Sequence, residues 1–414
     1  MRFLSLSFFM CLLWLTPQLR ADGVLKGREL RSDFIQSAKI WTRPGSDIRS
    51  LDLSQSPDQC PAFEPDQVVS CTYKKPKRGD DTGGLTPKFK CKTADGRTLK
   101  VKYGQESAET FTEVFSSRLL LALGFYADCN YPVAKVICED CPANPDRYTR
   151  EYANGKEDPS EVLASREFQF AMIEEKFGEE IVAELDGKVV EGWGFDEILQ
   201  PELQAADPEQ KAAREALTIL MAILQHGDNR LSNQRFYCRQ PLAEDGSCAP
   251  EDRVLVVQDL GATLGGYKVE TKQNTLLNLP PTLAHRFWDF APVWNLWRGP
   301  GLSGCTVQVF AGETPEGPAS LTQQKVSEEG RLFLATLLSQ MRKEQIEQLV
   351  VAAKLNQWIG SPNITSDVFG ELERQVNFKL PFRPTISSAP VATQQWVDTL
   401  WKKFRSVTSN GVCR

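Results

Sequence analysis

In "LQHGDNRLSN", residues 224–233, Asp228 and Asn233 stand in the spacing D-x-x-x-x-N. A second aspartate, Asp259, opens "DLG" at the end of the apolar run "RVLVVQ". Such side chains offer oxygen donors, which suit hard cations such as Mg2+ or Mn2+. A loop aspartate can also receive the proton of an attacking hydroxyl. Upstream, "LKVK" sets Lys102 on a run that alternates with apolar Leu99 and Val101, and Glu113 lies in the helical pattern that follows. A strand lysine held by a helix glutamate can grip phosphate oxygens. Earlier still, "DTGGLTPKF" supplies Gly83, Gly84, Thr86 and Lys88, a turn whose backbone and lysine can cover phosphates. The ordered set fits phosphoryl transfer, where positioning and charge neutralisation supply most of the catalysis. In it Lys102, Glu113 and Asp228 are catalytic, and Asn233 and Asp259 hold the metal.

Taken singly, each feature has an ordinary alternative. Two adjacent glycines usually mark a turn. A lysine on an alternating strand usually snorkels to solvent. Asp228 and Asn233 can form Asx turns, and Lys100 and Glu109 compete with Lys102 and Glu113. The order on the right kinds of element is the specific signal. "KFKCKT" and "TLKVKYG" alternate around the turn "ADGR", which predicts a hairpin. "SAETFTEVFSSRLLLALGF" has helical periodicity, with Ser107 as N-cap and Gly124 as stop. "REFQFAMIEEKFG" reads as a buried strand running into a polar linker. Residues 208–226 form a helix apolar nearly all round, and so a buried one. "QRFYC" and "RVLVV" make a short hairpin, and helical patterns dominate from residue 268 onward. Residues 22–65 show little periodicity and are expected to be a loosely structured extension.

The chain has 414 residues, 41% hydrophobic and 25% charged, with a net charge of −6. Length suggests two or three lobes. The acidic balance argues against nucleic acid, which calls for a basic stripe; "YKKPKR" (73–78) is short and reads as a solvated loop. "MR" followed by "FLSLSFFMCLLWL" reads as an export leader cut near Ala21, too short to span a membrane comfortably. No later segment is long and apolar enough for a transmembrane anchor, so the protein is expected to be exported, periplasmic or secreted. Of eleven cysteines, Cys11 lies in the leader. The even remainder favours disulfides. "CEDC" lacks the second pair of a zinc ribbon and is expected to bridge locally, Cys138 to Cys141; Cys238 and Cys248 flank a turn-rich loop and are expected to staple a hairpin.

These motifs carry a resemblance. The chain resembles atypical members of the protein-kinase-like superfamily, on the side of HipA-type and phosphoinositide-kinase-like proteins, in an exported bacterial-type form. "GGLTPKFK" is similar to their G-x-x-P-K stretch. "TEVFSSRLLLALGF" is similar to the E-V-x-A-S-R-L helix, which favours Glu113 over Glu109. "QHGDNRLSNQRF" and "VVQDLGATLG" resemble the catalytic and metal loops. The resemblance runs over roughly residues 80–350. It implies an α+β, bilobal fold: a strand-rich lobe at 66–178 and a helical lobe at 179–356, after a leader (1–21) and an extension (22–65) and before a C-terminal helical extension (357–414). It implies ATP and Mg2+ or Mn2+, with "MIEEKFG" as the hinge whose backbone at Glu174 and Glu175 holds the adenine. Three departures stand out. No arginine follows the histidine of the catalytic loop, "DLG" replaces D-F-G, and no A-P-E segment follows, which speaks against peptide recognition of the eukaryotic type. The acceptor hydroxyl is open among protein, lipid headgroup and small molecule.

Other classes fare differently. A Ser-His-Asp hydrolase would need His226 or His285, and no G-x-S-x-G elbow is present. Two well-separated histidines argue against a histidine metal site. A secreted, non-catalytic kinase-fold binding protein is the stronger rival, because ATP is scarce outside the cytosol. A nucleotidyl transferase on the same fold is the third.

Overall fold

The computed structural model describes residues 23–26, 28–80, 83–84, 86–156, 162–266, 268–270, 276–291, 293–294, 305–309, 312–314, 317–319, 322–360 and 387–409. The expected leader lies outside the described residues. Alternating runs become strands and 3.6-periodic runs become helices, in the expected order. β1 (Gly23–Lys26) and α1 (Arg28–Ser37) come first. A seven-stranded sheet follows, built from β2 (Val68–Tyr73), β3 (Lys88–Lys92), β4 (Thr98–Tyr103), β5 (Cys129–Pro132), β6 (Lys135–Cys141), β7 (Ala164–Gln169) and β8 (Ala171–Glu175) in the order β5-β8-β4-β3-β2-β6-β7. Helix α2 (Glu109–Ala122) lies between β4 and β5, and α3 (Pro145–Ala153) packs against β3.

A second sheet belongs to the helix-rich lobe. It pairs β1, β9 (Glu179–Leu185), β11 (Gln234–Cys238) and β12 (Arg253–Val257) in that order, with β10 (Lys188–Val190) on β9. Around it lie α4 (Phe195–Ile198), α5 (Pro208–Leu224), α6 (Pro281–Phe290), α7 (Glu328–Leu338), α8 (Lys343–Ala352) and α9 (Thr393–Thr408). The architecture is α+β, with the seven-stranded sheet in one lobe and the second sheet among the helices of the other. β8 and β9, on either side of residues 176–178, belong to different sheets. Among the described residues no helix is long and apolar enough to cross a membrane.

Two elements fix the geometry that matters later. Helix α2 ends because Gly124 adopts φ +88°, and a Cβ there would lie 2.2 Å from the Thr42 carbonyl oxygen. Only glycine fits both the left-handed backbone and that contact. The β11–β12 hairpin pairs Gln234 with Val257 and Cys238 with Arg253. Its far end is closed by the Cys238–Cys248 disulfide, Cα atoms 5.8 Å apart. Its near end therefore carries Asn233 and Asp259 side by side. The other bridges among described residues are Cys60–Cys129, Cys71–Cys91 and the local Cys138–Cys141.

Two expectations need correction. The described residues of the 22–65 segment are not loosely structured. Phe34, Ile35, Ile40 and Trp41 are buried, Arg31 Nη2 donates to Glu197 Oε2 at 2.8 Å, and Gln210 Oε1 accepts from the Ile40 amide at 2.9 Å. The segment is tied to both lobes, since Cys60 bridges to β5. Helices also do not hold the region after residue 268 alone: two-stranded ribbons such as Cys305–Val309 with Thr322–Val326 lie there.

Candidate functional site

Lys102 is the centre of the site. Strand alternation turns Leu99 and Val101 into the covered face, and Lys100 and Lys102 to the other. The Lys102 ammonium is buried and lies 2.6 Å from Glu113 Oε2, 3.1 Å from Asp259 Oδ1 and 3.3 Å from Glu174 Oε2. Lys100 pairs with the other side of the group, 2.8 Å from Glu174 Oε1. The two competing candidates are thus separated by role. Glu113 and not Glu109 holds Lys102. The side chain of Glu109 packs instead against Gly261, where a Cβ would come within 2.5 Å of its Cγ.

Burying an ammonium costs several kcal/mol unless opposite charge surrounds it. Burial lowers the Lys102 pKa, but Asp259, Glu113 and Glu174 together hold it well above its ordinary value. Against burial, Lys100 and Lys102 pull Glu174 down to about 2. Asp259 is likewise held low by Lys102 and Lys100, against burial. Burial lifts Glu113 to about 8, and the neighbouring carboxylates add to that lift while Lys102 opposes it. Two ammonium groups face three carboxylates, so the most deeply buried carboxyl retains its proton most readily.

The DLG turn is clamped to α2 and to the loop that carries Asp228 and Asn233. Thr112 Oγ1 donates to the Gly261 carbonyl at 2.5 Å, and Ser116 Oγ lies 2.8 Å from Thr263 Oγ1. The Gly227 amide donates to the Ala262 carbonyl at 2.8 Å, and the Gln258 amide to the Asn233 carbonyl at 2.8 Å. Asn233 Nδ2 donates to the Asp228 carbonyl at 2.8 Å. Asp259 itself adopts φ +46°, a backbone conformation that costs energy outside glycine and aims the carboxylate at Lys102. Lys102, Glu113 and Asp259 meet through their side chains, and hydrogen bonds to backbone carbonyls join the segments that carry Asp228, Asn233 and Asp259. Asp228 has a partner that the sequence did not assign: Arg230 Nε and Nη2 lie 2.6 and 2.7 Å from its two carboxylate oxygens.

The turn residues lie at the rim. Gly83 and Gly84 are exposed, and Gly84 takes φ +81°. Lys88 Nζ donates to the Gly83 carbonyl. Burial, with Lys100 and Lys102 nearby, lowers the Lys88 pKa to about 8. Thr86 is buried, its hydroxyl 3.4 Å from Ser107 Oγ. The expected backbone role of Glu174 is corrected. Its strand is paired on both edges, with Lys100 of β4 and Asn130 of β5, so its backbone has no open side, and it is the side chain that joins the cluster. Glu175 pairs with Cys129 and accepts from the Tyr131 hydroxyl at 3.2 Å.

Sequence reasoning missed Arg230 and Asp128. Buried Asp128 Oδ1 accepts from the Phe177 amide and from Gln258 Nε2, both at 3.2 Å. It ties the segment between the lobes to the residue before Asp259. The two histidines take structural places. His226 is buried, and burial lowers its pKa; His285 packs edge-on against Trp396.

The donor set suits a hard cation. Asp259 keeps 37% side-chain exposure, and the Asn233 amide, anchored through Nδ2, leaves Oδ1 for a ligand. Among the described residues no group of three His, Cys, Asp or Glu side chains could hold a metal ion. A carboxylate with one further oxygen fits Mg2+, which usually completes its shell with water and substrate phosphates.

No family model matches the chain, and no curated protein matches it. Among solved structures, the proinflammatory kinase CtkA of Helicobacter pylori is similar, with 9% identity over 83% of this chain and 97% of that chain, at a TM-score of 0.37. That likeness is too loose to assign a family or an activity.

Proposed function

We propose that the chain is a metal-dependent phosphotransferase that moves the γ-phosphoryl group of ATP to a hydroxyl acceptor. The observation that carries this is the Lys102 ammonium shared by Glu113 of α2 and Asp259 of the DLG turn. A lysine so held is pre-positioned for phosphate oxygens, and a nucleotide would draw it from Asp259. Asn233 and Asp259 would hold Mg2+ or Mn2+, which supplies charge neutralisation at the phosphates. Lys88 and the Gly83–Gly84 turn cover the phosphate chain. Asp228 takes the proton of the acceptor hydroxyl as its oxygen bonds to the γ-phosphorus. The bond from that phosphorus to the β,γ-bridging oxygen breaks, and ADP leaves. Arg230 grips both oxygens of Asp228 at rest and must release one for this step. The acceptor stays open among protein, lipid headgroup and small molecule. Export rests on the leader pattern and on the disulfides.

The hold of Arg230 on Asp228 also favours a second reading, a kinase-fold binding protein without turnover. ATP labelled separately at the α and γ positions, given to the protein with Mg2+ or Mn2+, separates these. Transfer of γ label alone supports the phosphotransferase. Transfer of α label marks a nucleotidyl transferase, and binding without transfer marks the binding protein.

A further inference from the structure

We propose that Lys88, Lys90 and Lys92 of β3 form a track for a linear polyphosphate chain, continuous with the phosphate position at Lys102. The proposal rests on Lys102 being a phosphate contact. Antiparallel register sets Lys88 opposite Lys102, Lys90 opposite Lys100 and Lys92 opposite Thr98. Residues directly opposite share a face, so the row lies on the same side of the sheet as the Lys102 cluster. It covers the five residues of β3, four rises of about 3.3 Å or about 13 Å in all. Lys74 Nζ donates to Thr98 Oγ1 at 3.2 Å and adds a fourth ammonium at the outer end.

The row is held in place from behind. Phe89 and Cys91, the residues between, are buried on the opposite face. The Phe89 ring packs against Phe168 at 4.9 Å, and Cys91 is bridged to Cys71. Lysines commonly guard a sheet edge against pairing, but β3 is an interior strand with β2 and β4 on either side. Like charges directly opposite each other destabilise a ladder, and here two such pairs are consecutive. Glu113, Glu174 and Asp259 form their ion pairs with Lys100 and Lys102. Among the described residues no carboxylate forms an ion pair with Lys88, Lys90 or Lys92. A solvent-facing row of lysines on an interior strand, with Lys90 and Lys92 exposed, on a chain of net charge −6, is complementary to a long anion of closely spaced charges. The row starts where a phosphate chain would start and extends it outward.

The test uses the full chain with Mg2+ and calorimetry at fixed ionic strength. The probes are tripolyphosphate, long-chain inorganic polyphosphate and polyglutamate of similar charge. Long-chain polyphosphate should bind at least tenfold more tightly than tripolyphosphate. The double variant Lys90→Ala/Lys92→Ala should lose about tenfold in long-chain affinity and keep tripolyphosphate within twofold. Lys188→Ala/Lys211→Ala removes the same charge elsewhere and should change neither. An inert Lys90/Lys92 variant, an equal loss in the control variant, or polyglutamate binding as tightly as polyphosphate would each overturn the track while leaving the phosphotransferase site standing. Wild-type protein that binds neither ATP nor tripolyphosphate would instead remove the phosphate role of Lys102, and the continuous track with it.

Discussion

Lys102 and Asp259 are 157 positions apart, and their charged groups meet at 3.1 Å. The contact joins a strand of one lobe to the turn after the β11–β12 hairpin of the other, and Glu113 steadies it from α2. Everything proposed for the site depends on this convergence.

Replacing Lys102 leaves Glu113 and Glu174 buried without their shared cation. Lys102→Met should lower the unfolding free energy by about 3 kcal/mol, the usual cost of stripping one partner from a buried ion pair. Denaturant unfolding reads this directly. A loss below about 1 kcal/mol, typical of exposed pairs, would show that the cluster is effectively solvated.

Asp228 and Arg230 should separate binding from turnover. Asp228→Asn should keep metal-dependent nucleotide affinity within about threefold and reduce turnover by 10²-fold or more, as expected for a group acting in proton transfer. Arg230→Gln should leave nucleotide affinity unchanged and free the Asp228 carboxylate. Equal losses of nucleotide affinity in both variants would make the pair structural.

Legibility tracked how local the signal was. Lys102, Glu113 and Asp259 could be read because each sits at a fixed place in its own element: an alternating strand, a helix, the end of a hairpin. Lys100 and Glu174 could not, because their pairing depends on β4 lying beside β8, and one sequence does not state strand register. Glu174 was therefore expected to act through its backbone, whereas its side chain pairs with Lys100 and Lys102. Residues 22–65 showed little period because Phe34, Ile40 and Trp41 bury against different elements: Phe34 meets the Phe236 ring, the Ile40 amide meets Gln210, and Trp41 Nε1 donates to the Leu123 carbonyl. Periodicity reports a single buried face, and here only the short α1 with the residue after it carries one, in Arg31, Phe34, Ile35 and Ala38 among the described residues.

Asp128 gives the chain a pH-dependent stability. Burial, reinforced by Glu174, raises its pKa from 3.8 to about 7. The folded chain thus keeps a proton that the unfolded chain has released, so stability falls as pH rises from about 4 to about 7. Asp128→Asn keeps the Oδ1 acceptor and removes this contribution. Unfolding free energies measured at both ends of the window should fall less in the variant than in the wild type. Parallel slopes would show that Asp128 is ionised in the folded chain.

The Cys238–Cys248 bridge closes the end of the hairpin away from the site. Cys238→Ser/Cys248→Ser should destabilise the protein by about 2–3 kcal/mol, as loss of a short-loop disulfide does. Nucleotide affinity should stay near the wild-type value in the folded variant, since Gln258 still bonds to Asn233 at the opposite end. A specific loss of affinity without loss of stability would mean that the bridge positions the metal loop.

The most direct measurement is calorimetric titration of ATP into wild-type protein and Asp259→Ala, each with and without Mg2+ or Mn2+. Wild-type protein should bind ATP tightly only with the cation, and Asp259→Ala should lose that metal-dependent affinity by at least 10²-fold. ATP binding that ignores both the cation and the substitution would contradict the assignment of this site.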